Sequence, residues 1–301
     1  MPAKSDSAQN APGKLNSGEF VLHPGKIRDN GSSDRSRGGT GRRVRLRTVW
    51  GNPWRFESSR EHEFQSPATP LPSSLPQHDP EFVRRTFSSI SRRYDFANHL
   101  LSGGIDRLWR ARVARAMAEG HPKTILDLAT GSGDLATALQ RACPAALVVG
   151  ADFCLPMLDE ARAKGVSPLV QADGLALPFA DGSFDAVTIA FGLRNMASWE
   201  AALCECSRVL NSSGRLAILD FSLPANPLVR AAYRFYLHRV LPVLAGWATG
   251  CPDAYEYLAG SIEKFPRGGG MNALMESCGF CCEPNRAMWF GIVSLYIGTK
   301  V

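Results

Sequence analysis

Short apolar stretches alternate with longer amphipathic ones from about residue 124 onward. The apolar stretches predict strands near 124–129, 147–151, 168–172, 184–191 and 215–221, and the amphipathic ones predict helices near 134–142, 155–164, 197–210 and 226–241. The strand stretches show no polar alternation, which is typical of strands covered by helices on both faces. The pattern predicts an α/β fold with a doubly wound parallel sheet.

Two helices are predicted ahead of the first strand. One begins at Asp79-Pro80, where a capping residue precedes proline at the first helical position. The other runs from about Ile105 to Ala118, and its spacing predicts inward-facing Leu108, Trp109, Val113 and Met117, with Arg110 and Arg115 outward.

The end of the chain departs from this alternation of strands and helices. After a helix near 271–278, two strand-like stretches, Phe280–Met288 and Phe290–Lys300, are separated by a single residue. Strands this close must form an antiparallel hairpin. A parallel sheet ending in an antiparallel C-terminal hairpin is typical of the class I S-adenosylmethionine-dependent methyltransferase (Rossmann-like) fold. A dinucleotide dehydrogenase would also need a separate substrate domain.

The turn after the first strand carries the most specific local signal. Gly131 and Gly133 let the backbone turn tightly and approach a bound nucleoside. Asp152 ends the next strand, where a carboxylate can accept hydrogen bonds from both ribose hydroxyls. The combination indicates a nucleotide-like cofactor.

Two cofactor classes fit this turn. With Ala136, the glycines satisfy the relaxed fingerprint of NAD-dependent oxidoreductases. Asp127 favours S-adenosylmethionine, because a carboxylate buried in the first strand needs a partner and the methionine amino group is a suitable one. Asp134 also favours this cationic ligand, because its charge lies where a dinucleotide pyrophosphate would sit.

Two further strand ends carry candidate site residues. Asp173 and Gly174 follow the third strand, where the carboxylate can accept the adenine amino group, although a turn cap is the alternative role for Asp173. Arg194 and Asn195 follow strand 184–191 and are expected beside the reactive end of the cofactor. For Arg194 the alternative is a structural ion pair.

Charge is concentrated at the beginning of the chain. Residues 1–78 hold 12 of the 34 basic and 7 of the 28 acidic residues and are rich in Ser, Gly, Pro and Arg. This composition predicts a disordered basic extension before a methyltransferase domain over 79–301. The Arg42–Arg47 cluster raises the hypothesis of nucleic-acid or anionic-lipid binding, but no nucleic-acid partner is expected. Neither a secretion signal nor a membrane span is expected, which favours a cytoplasmic location.

The cysteines show no secreted framework. Cys278 and Cys281 form one C-x-x-C motif beside Cys282, and Cys204 and Cys206 lie in a predicted helix. A zinc site would need a second correctly spaced pair. Free thiols in a reducing compartment and no metal are therefore expected.

Residues 79–301 resemble the ubiquinone/menaquinone biosynthesis C-methyltransferase family. The resemblance is carried by seven blocks: Tyr94-Asp-Phe-Ala-Asn98 with Leu108-Trp109, Asp127-Leu-Ala-Thr-Gly-Ser-Gly-Asp-Leu135, Ala172-Asp-Gly-Leu-Ala-Leu-Pro-Phe179, Phe191-Gly-Leu-Arg-Asn195, Asp220-Phe-Ser222, Tyr255-x-Tyr257-Leu-x-x-Ser261-Ile262 and Phe290-Gly-Ile-Val-Ser-Leu-Tyr296. The fourth and sixth blocks are specific to this family, whereas the glycine turn is common to most methyltransferases.

The resemblance implies S-adenosylmethionine-dependent C-methylation of a polyprenylated quinol. It implies cofactor contacts at Ser132, Asp152, Asp173 and Gly174. Demethylmenaquinol is the expected substrate, and a 2-polyprenyl-6-methoxy-1,4-benzoquinol of the ubiquinone pathway is the alternative. Some members, chiefly those assigned to ubiquinone synthesis, have serine where this chain has Ala190, so a hydroxyl contact is absent there. The ending Gly291–Lys300 looks more like that of the menaquinone-type members. An NAD-dependent oxidoreductase stays open as an alternative of another class.

This substrate class requires a group that stabilises a phenolate and a group that takes or relays its proton. Arg194 suits the first role because its charge is permanent. Asn195 is expected to orient the quinol oxygen or a relaying water, and Tyr94 to close the site from the N-terminal helices.

The predicted helix 226–241 offers a basic face. Arg230, Arg234 and His238 recur every four residues. One hypothesis is a solvated surface helix. The other is peripheral contact with anionic lipid at the inner face of the membrane, where the prenyl tail of the substrate is confined. A homo-oligomer is compatible with the sequence.

Overall fold

The computed structural model describes residues 104–243 and 252–301. The predicted extension 1–78, the helix predicted after Asp79 and Tyr94 lie outside these residues. The domain boundary at residue 79 therefore stays a prediction.

Helices and strands follow one another in the predicted order. The first half contains α1 (Asp106–Ala118), β1 (Thr124–Leu128), α2 (Asp134–Ala142), β2 (Leu147–Asp152), α3 (Leu155–Ala163), β3 (Leu169–Gln171) and β4 (Phe184–Ala190). A 3₁₀ turn at Leu193–Asn195 then leads to α4 (Trp199–Val209), β5 (Leu210–Phe221) and α5 (Pro227–Phe235), which continues as a π-helical turn over Tyr236–Val240. The last described part contains α6 (Pro252–Lys264), α7 (Gly269–Ser277), β6 (Phe280–Cys282), β7 (Arg286–Met288) and β8 (Val293–Lys300).

Local capping explains where two of these helices begin. The Ser198 hydroxyl accepts a hydrogen bond from the Ala201 N–H and so caps α4. Asn226 caps α5 through the N–H groups of Leu228 and Val229, and Pro227 supplies a preset φ at the first position.

The sheet confirms the predicted architecture. Its strand order is β3-β2-β1-β4-β5-β8-β6, with β7 also paired to β8. Strands β1 to β5 are parallel, and β8 is antiparallel to its neighbours. The order reverses between β1 and β4, so the carboxyl ends of β1, β2 and β4 meet at a switch point where ligands bind in such sheets.

The first strand of the terminal hairpin differs from the prediction. The stretch Phe280–Met288 forms two short strands, with β6 along Gly298–Lys300 and β7 along Val293–Leu295. Pro284 lies between them and cannot donate a ladder hydrogen bond. The hairpin is confirmed, but its outer strand is interrupted.

Alternating side chains of each strand enter two separate cores. On β1, Ile125 packs on the face that carries α1 and α2, whereas Leu126 and Leu128 pack on the opposite face. On β5, Ala217 and Leu219 again face the first core. Successive residues of one strand therefore pack on opposite faces of the sheet, each against its own set of helices.

The predicted orientation of α1 was wrong at two positions. Leu108 is 67% exposed, and Arg110 is only 8% exposed. Arg110 forms an ion pair with Asp106, one helical turn earlier and also buried. The pairing neutralises both charges locally, so a residue predicted to face solvent turns toward the sheet instead.

Candidate active site

The turn after β1 needs glycine for conformation and for space. Gly131 has a φ of 56° and Gly133 a φ of 82°, in the left-handed region that disfavours side chains. A Cβ at Gly133 would lie 2.8 Å from Cγ2 of Val166. Gly133 therefore lets α2 begin in contact with the segment after α3, and the turn opens at the switch point.

Asp127 is a buried carboxylate in the middle of the sheet. Its oxygens accept hydrogen bonds from the Thr130 and Thr188 hydroxyls, each at 2.7 Å. Burial raises its pKa from 3.8 to about 6, although both hydroxyls and the nearby Arg110 oppose the rise. A cationic group would stabilise the ionised form, so the site fits the ammonium of a methionine moiety.

Asp152 ends β2 and also holds the glycine turn. Its Oδ2 accepts the Gly131 N–H and its Oδ1 accepts the Cys154 N–H, both at 2.8 Å. A carboxylate offers about four acceptor positions, so these bonds are compatible with ribose binding. The tie to the turn is a positioning role that the sequence analysis missed.

Ser132 and Asp134 share a lysine. The Lys164 Nζ donates to Ser132 Oγ at 2.8 Å and to Asp134 Oδ1 at 2.7 Å, and Arg110 lies 3.9 Å from the other Asp134 oxygen. These basic neighbours offset the Asp134 charge, so that charge alone is a weaker argument against a pyrophosphate at this turn. The preference for a cationic cofactor therefore rests on Asp127.

The third strand end places Asp173 and Gly174 as expected, within a tight turn. Asp173 Oδ1 accepts the Leu175 N–H at 2.9 Å, which is the turn cap considered as an alternative. A Cβ at Gly174 would lie 3.1 Å from the Met196 sulfur. Gly174 therefore packs closely against the segment after β4, and the adenine contact stays a prediction.

Arg194 does not project from the strand end as expected. Its side chain is 1% exposed, and Nη1 donates to Asp220 Oδ1 at 2.7 Å and to the Phe191 carbonyl at 2.6 Å. The guanidinium lies over the Phe221 ring, 5.3 Å from its centroid. Burial raises the pKa of Asp220 and the Arg194 charge opposes the rise. Arg194 thus forms the structural ion pair considered as the alternative.

Asn195 is the more accessible of the two candidates after β4. It is partly buried, and its Oδ1 accepts a hydrogen bond from the Tyr257 hydroxyl at 3.4 Å. Tyr257 comes from α6, so this pair connects the loop after β4 to a helix from the C-terminal half of the chain.

Backbone strain marks the ends of β1 and β4. Ala129 has a φ of 53° and Phe191 a φ of 59°, conformations that cost side-chain-bearing residues about 1–3 kcal/mol and that cluster at functional sites. A Cβ at Gly192 would lie 2.4 Å from Cβ of Ala129. The loops after β1 and β4 are therefore in direct contact at the switch point.

Several site residues had no individual signal in the sequence. Lys164 and Thr188 join the site only through helix packing and the sheet register. Asp220 lies in one of the resemblance blocks, but its pairing with Arg194 also depends on the register. A series of ring contacts also runs through the site, linking Phe221, Phe191, Trp109 and Trp289 at centroid distances of 4.8, 6.2 and 6.2 Å. In residues 104–243 and 252–301, no group of three or more His, Cys, Asp or Glu is placed to hold a metal ion.

The reversed terminal strand, the glycine turn and the buried carboxylate together define a methyltransferase that uses S-adenosylmethionine. Two solved structures share the fold. A possible histamine N-methyltransferase from Thermotoga maritima superposes with a TM-score of 0.53 at 16% identity, covering 73% of this chain and 100% of that one. The magnesium protoporphyrin IX methyltransferase of Synechocystis gives 0.51 at 17%, covering 74% and 100%.

Sequence relatives are much closer. The ubiE/COQ5 methyltransferase family matches residues 76–300. A demethylmenaquinone methyltransferase from Thermus thermophilus is 47% identical over 71% of this chain and 99% of its own length. The ubiquinone/menaquinone biosynthesis C-methyltransferase of Syntrophotalea carbinolica is 44% identical over 72% and 94%. The chain belongs to the ubiE/COQ5 methyltransferase family, which confirms the sequence resemblance and leaves the oxidoreductase alternative without support.

Proposed function

We propose that the chain methylates a ring carbon of demethylmenaquinol to give menaquinol. The observation that carries this proposal is the 47% identity to a demethylmenaquinone methyltransferase over 99% of that protein. A second candidate is the ubiquinone-pathway benzoquinol, because a relative at 44% identity is named for both quinones.

Cofactor binding is proposed at the carboxyl ends of β1, β2 and β3. Asp127 would hold the ammonium and Asp152 the ribose, while Asp173 and Gly174 would contact adenine. Ser132 would lie beside the methionine end, held by Lys164. S-adenosylmethionine, when bound, supplies an electrophilic methyl group.

The quinol would bind beside the loop after β4. An aromatic ring carbon becomes a good nucleophile when an adjacent hydroxyl loses its proton. Asn195, held by Tyr257, would orient that hydroxyl or a water that accepts the proton. Arg194 would act as a positioning residue, because its bonds to Asp220 and the Phe191 carbonyl fix this loop. Tyr94 lies outside the described residues, and its role stays a prediction.

Membrane contact is proposed through an apolar rim rather than the basic face. The rim consists of Leu108, Leu228, Trp289 and Phe290, which are 67%, 80%, 51% and 81% exposed. The Trp289 ring contacts the ring of Trp109, the residue after Leu108. A Cβ at Gly291 would lie 3.3 Å from Pro224, which precedes Leu228 by four residues. These contacts bring chain neighbours of Leu108 and Leu228 to the turn that carries Trp289 and Phe290, which supports a single rim where a prenyl tail would enter.

Two of the three residues of the basic face, Arg234 and His238, pair within the protein. Arg234 and His238 lie 2.7 and 3.3 Å from Glu263 of α6, so they are poorly placed to bind lipid headgroups. None of the helices in 104–243 and 252–301 is long and apolar enough to cross a membrane.

Quinone profiling of cells that lack this protein tests the substrate. Accumulation of demethylmenaquinone, reversed by the wild-type chain, is expected. Accumulation of the benzoquinol precursor would select the second candidate, and an unchanged quinone profile would contradict both.

Vesicle co-sedimentation tests the rim. Trp289→Ser/Phe290→Ser should weaken binding to phosphatidylglycerol vesicles, because two aromatic anchors are lost. Leu147→Ser is the matched control, since Leu147 is exposed at the amino end of β2. Equal binding of both variants would contradict the rim.

A further inference from the structure

Two cysteines that are far apart in the sequence lie together between α4 and α7. Cys204 is exposed on α4, and Cys278 directly follows α7 and is 8% exposed. Their Sγ atoms are 2.7 Å apart across a separation of 74 residues. A disulfide bond has an S–S distance of about 2.05 Å, so only a small shift would join them.

We propose that Cys204 and Cys278 form a peroxide-sensitive dithiol site that oxidises reversibly to a disulfide joining α4 to α7. The site is separate from the methyl-transfer residues and does not depend on the identity of the quinol.

The oxidation balances with a peroxide as the oxidant. The Cys204 thiol releases its proton, the thiolate attacks hydrogen peroxide, and the O–O bond breaks; the leaving hydroxide takes up the proton, so sulfenic acid and water result. The Cys278 sulfur then attacks the Cys204 sulfur, loses its proton, and expels a second water as the S–S bond forms. In total two thiols lose two electrons and two protons, and one peroxide is reduced to two waters.

Exposure assigns the order of these steps. Cys204 is open to solvent, so it meets the oxidant first. Burial raises the pKa of Cys278 to about 12, and its contact with Cys204 adds to the rise. Cys278 therefore enters as the resolving thiol, where proximity compensates for a low thiolate fraction.

Neighbouring cysteines are less suited to this chemistry. Cys206 is fully buried, and burial strongly raises its pKa. Cys282 is partly buried, its thiol lies 3.7 Å from the Asn272 carbonyl, and burial raises its pKa to about 11. Cys281 is exposed and serves as the matched control for Cys204.

The disulfide would close a long loop and so restrict the unfolded chain. For a loop of this length in a domain of this size, we expect a rise in melting temperature of about 5–15 °C. Because α4 begins at Trp199, shortly after the Leu193–Asn195 turn, the bridge would anchor the helix that leaves the proposed active site.

The test uses the full-length chain titrated with hydrogen peroxide. Free thiols are then alkylated, and unreduced tryptic peptides are identified by mass. Melting temperatures are measured before oxidation, after it and after dithiothreitol. The variants Cys204→Ser, Cys278→Ser and Cys281→Ser are treated in parallel.

The proposal expects a Cys204–Cys278 peptide in the wild type and in Cys281→Ser, with a raised melting temperature that dithiothreitol reverses. Cys204→Ser should show neither, and because Cys204 is exposed this variant should fold normally even if Cys278→Ser does not. A bridge between another pair would overturn the proposal. So would oxidation of Cys204 to sulfinic acid without a bridge, or a wild-type bridge that leaves the melting temperature unchanged.

Discussion

Cofactor affinity should depend on pH through Asp127. The rise in its pKa from 3.8 to about 6 means that ionising this carboxylate in the cofactor-free fold costs about 3 kcal/mol. If the ammonium of S-adenosylmethionine pairs with the carboxylate, binding requires the ionised form. Below pH 6 a proton on Asp127 competes with the cofactor, so Kd should rise about tenfold between pH 7 and pH 5.

Stability of the cofactor-free protein should show the opposite trend. A folded pKa above the unfolded value means that the stabilising contribution of protonated Asp127 is full below pH 3.8 and is lost as pH rises through about 6. Asp127→Asn removes this titration. The difference in melting temperature, variant minus wild type, should therefore be larger at pH 8 than at pH 5.

Calorimetric titration with S-adenosylmethionine at pH 5, 6, 7 and 8 measures the first effect. Asp127→Asn should bind weakly and without this pH dependence. Thr188→Val removes one hydrogen bond that lowers the pKa of Asp127, so the midpoint of its profile should move above pH 6. A wild-type Kd that is constant from pH 5 to pH 8, or a pH dependence that survives in Asp127→Asn, would refute the pairing.

Three further variants test the rest of the site. Asp152→Ala should raise the Kd for S-adenosylmethionine at least tenfold by calorimetry, with Asp152→Asn intermediate, because bonds to ribose and to the Gly131 N–H are lost; unchanged affinity would exclude Asp152. Arg194→Ala should lower the free energy of unfolding by about 3–5 kcal/mol in urea titrations, because Asp220 is left buried and unpaired; wild-type stability with slow turnover would instead restore a direct catalytic role. Gly133→Ala should lower both melting temperature and cofactor affinity, because its Cβ would meet Val166, and normal behaviour would contradict the turn geometry.

Features determined by burial along one strand could be predicted from the sequence. Fully apolar stretches predicted the parallel strands, and the near-contiguous pair at the C-terminus predicted the reversed hairpin. The glycine turn and Asp152 were placed correctly relative to each other, because parallel strands expose their carboxyl ends at the same edge of a sheet.

Features determined by pairing across the sheet could not be predicted in the same way. Asp220 lies 26 residues after Arg194 on a neighbouring strand, so the register that joins them is invisible in local periodicity. Arg110 was expected in solvent because a hydropathy pattern assigns every arginine to the surface, whatever its neighbours. Its ion pair with Asp106 allows both side chains to be buried.

The contact between Gly192 and Ala129 limits how this enzyme can be redesigned. The loop proposed to hold the quinol and the loop proposed to hold the cofactor touch at a point where Gly192 has no room for a side chain. A side chain at Gly192 must displace the loop that carries Ala129, so changes in the two loops will not have independent effects. A library that varies substrate preference after β4 should therefore keep glycine at 192, or vary residue 129 together with it.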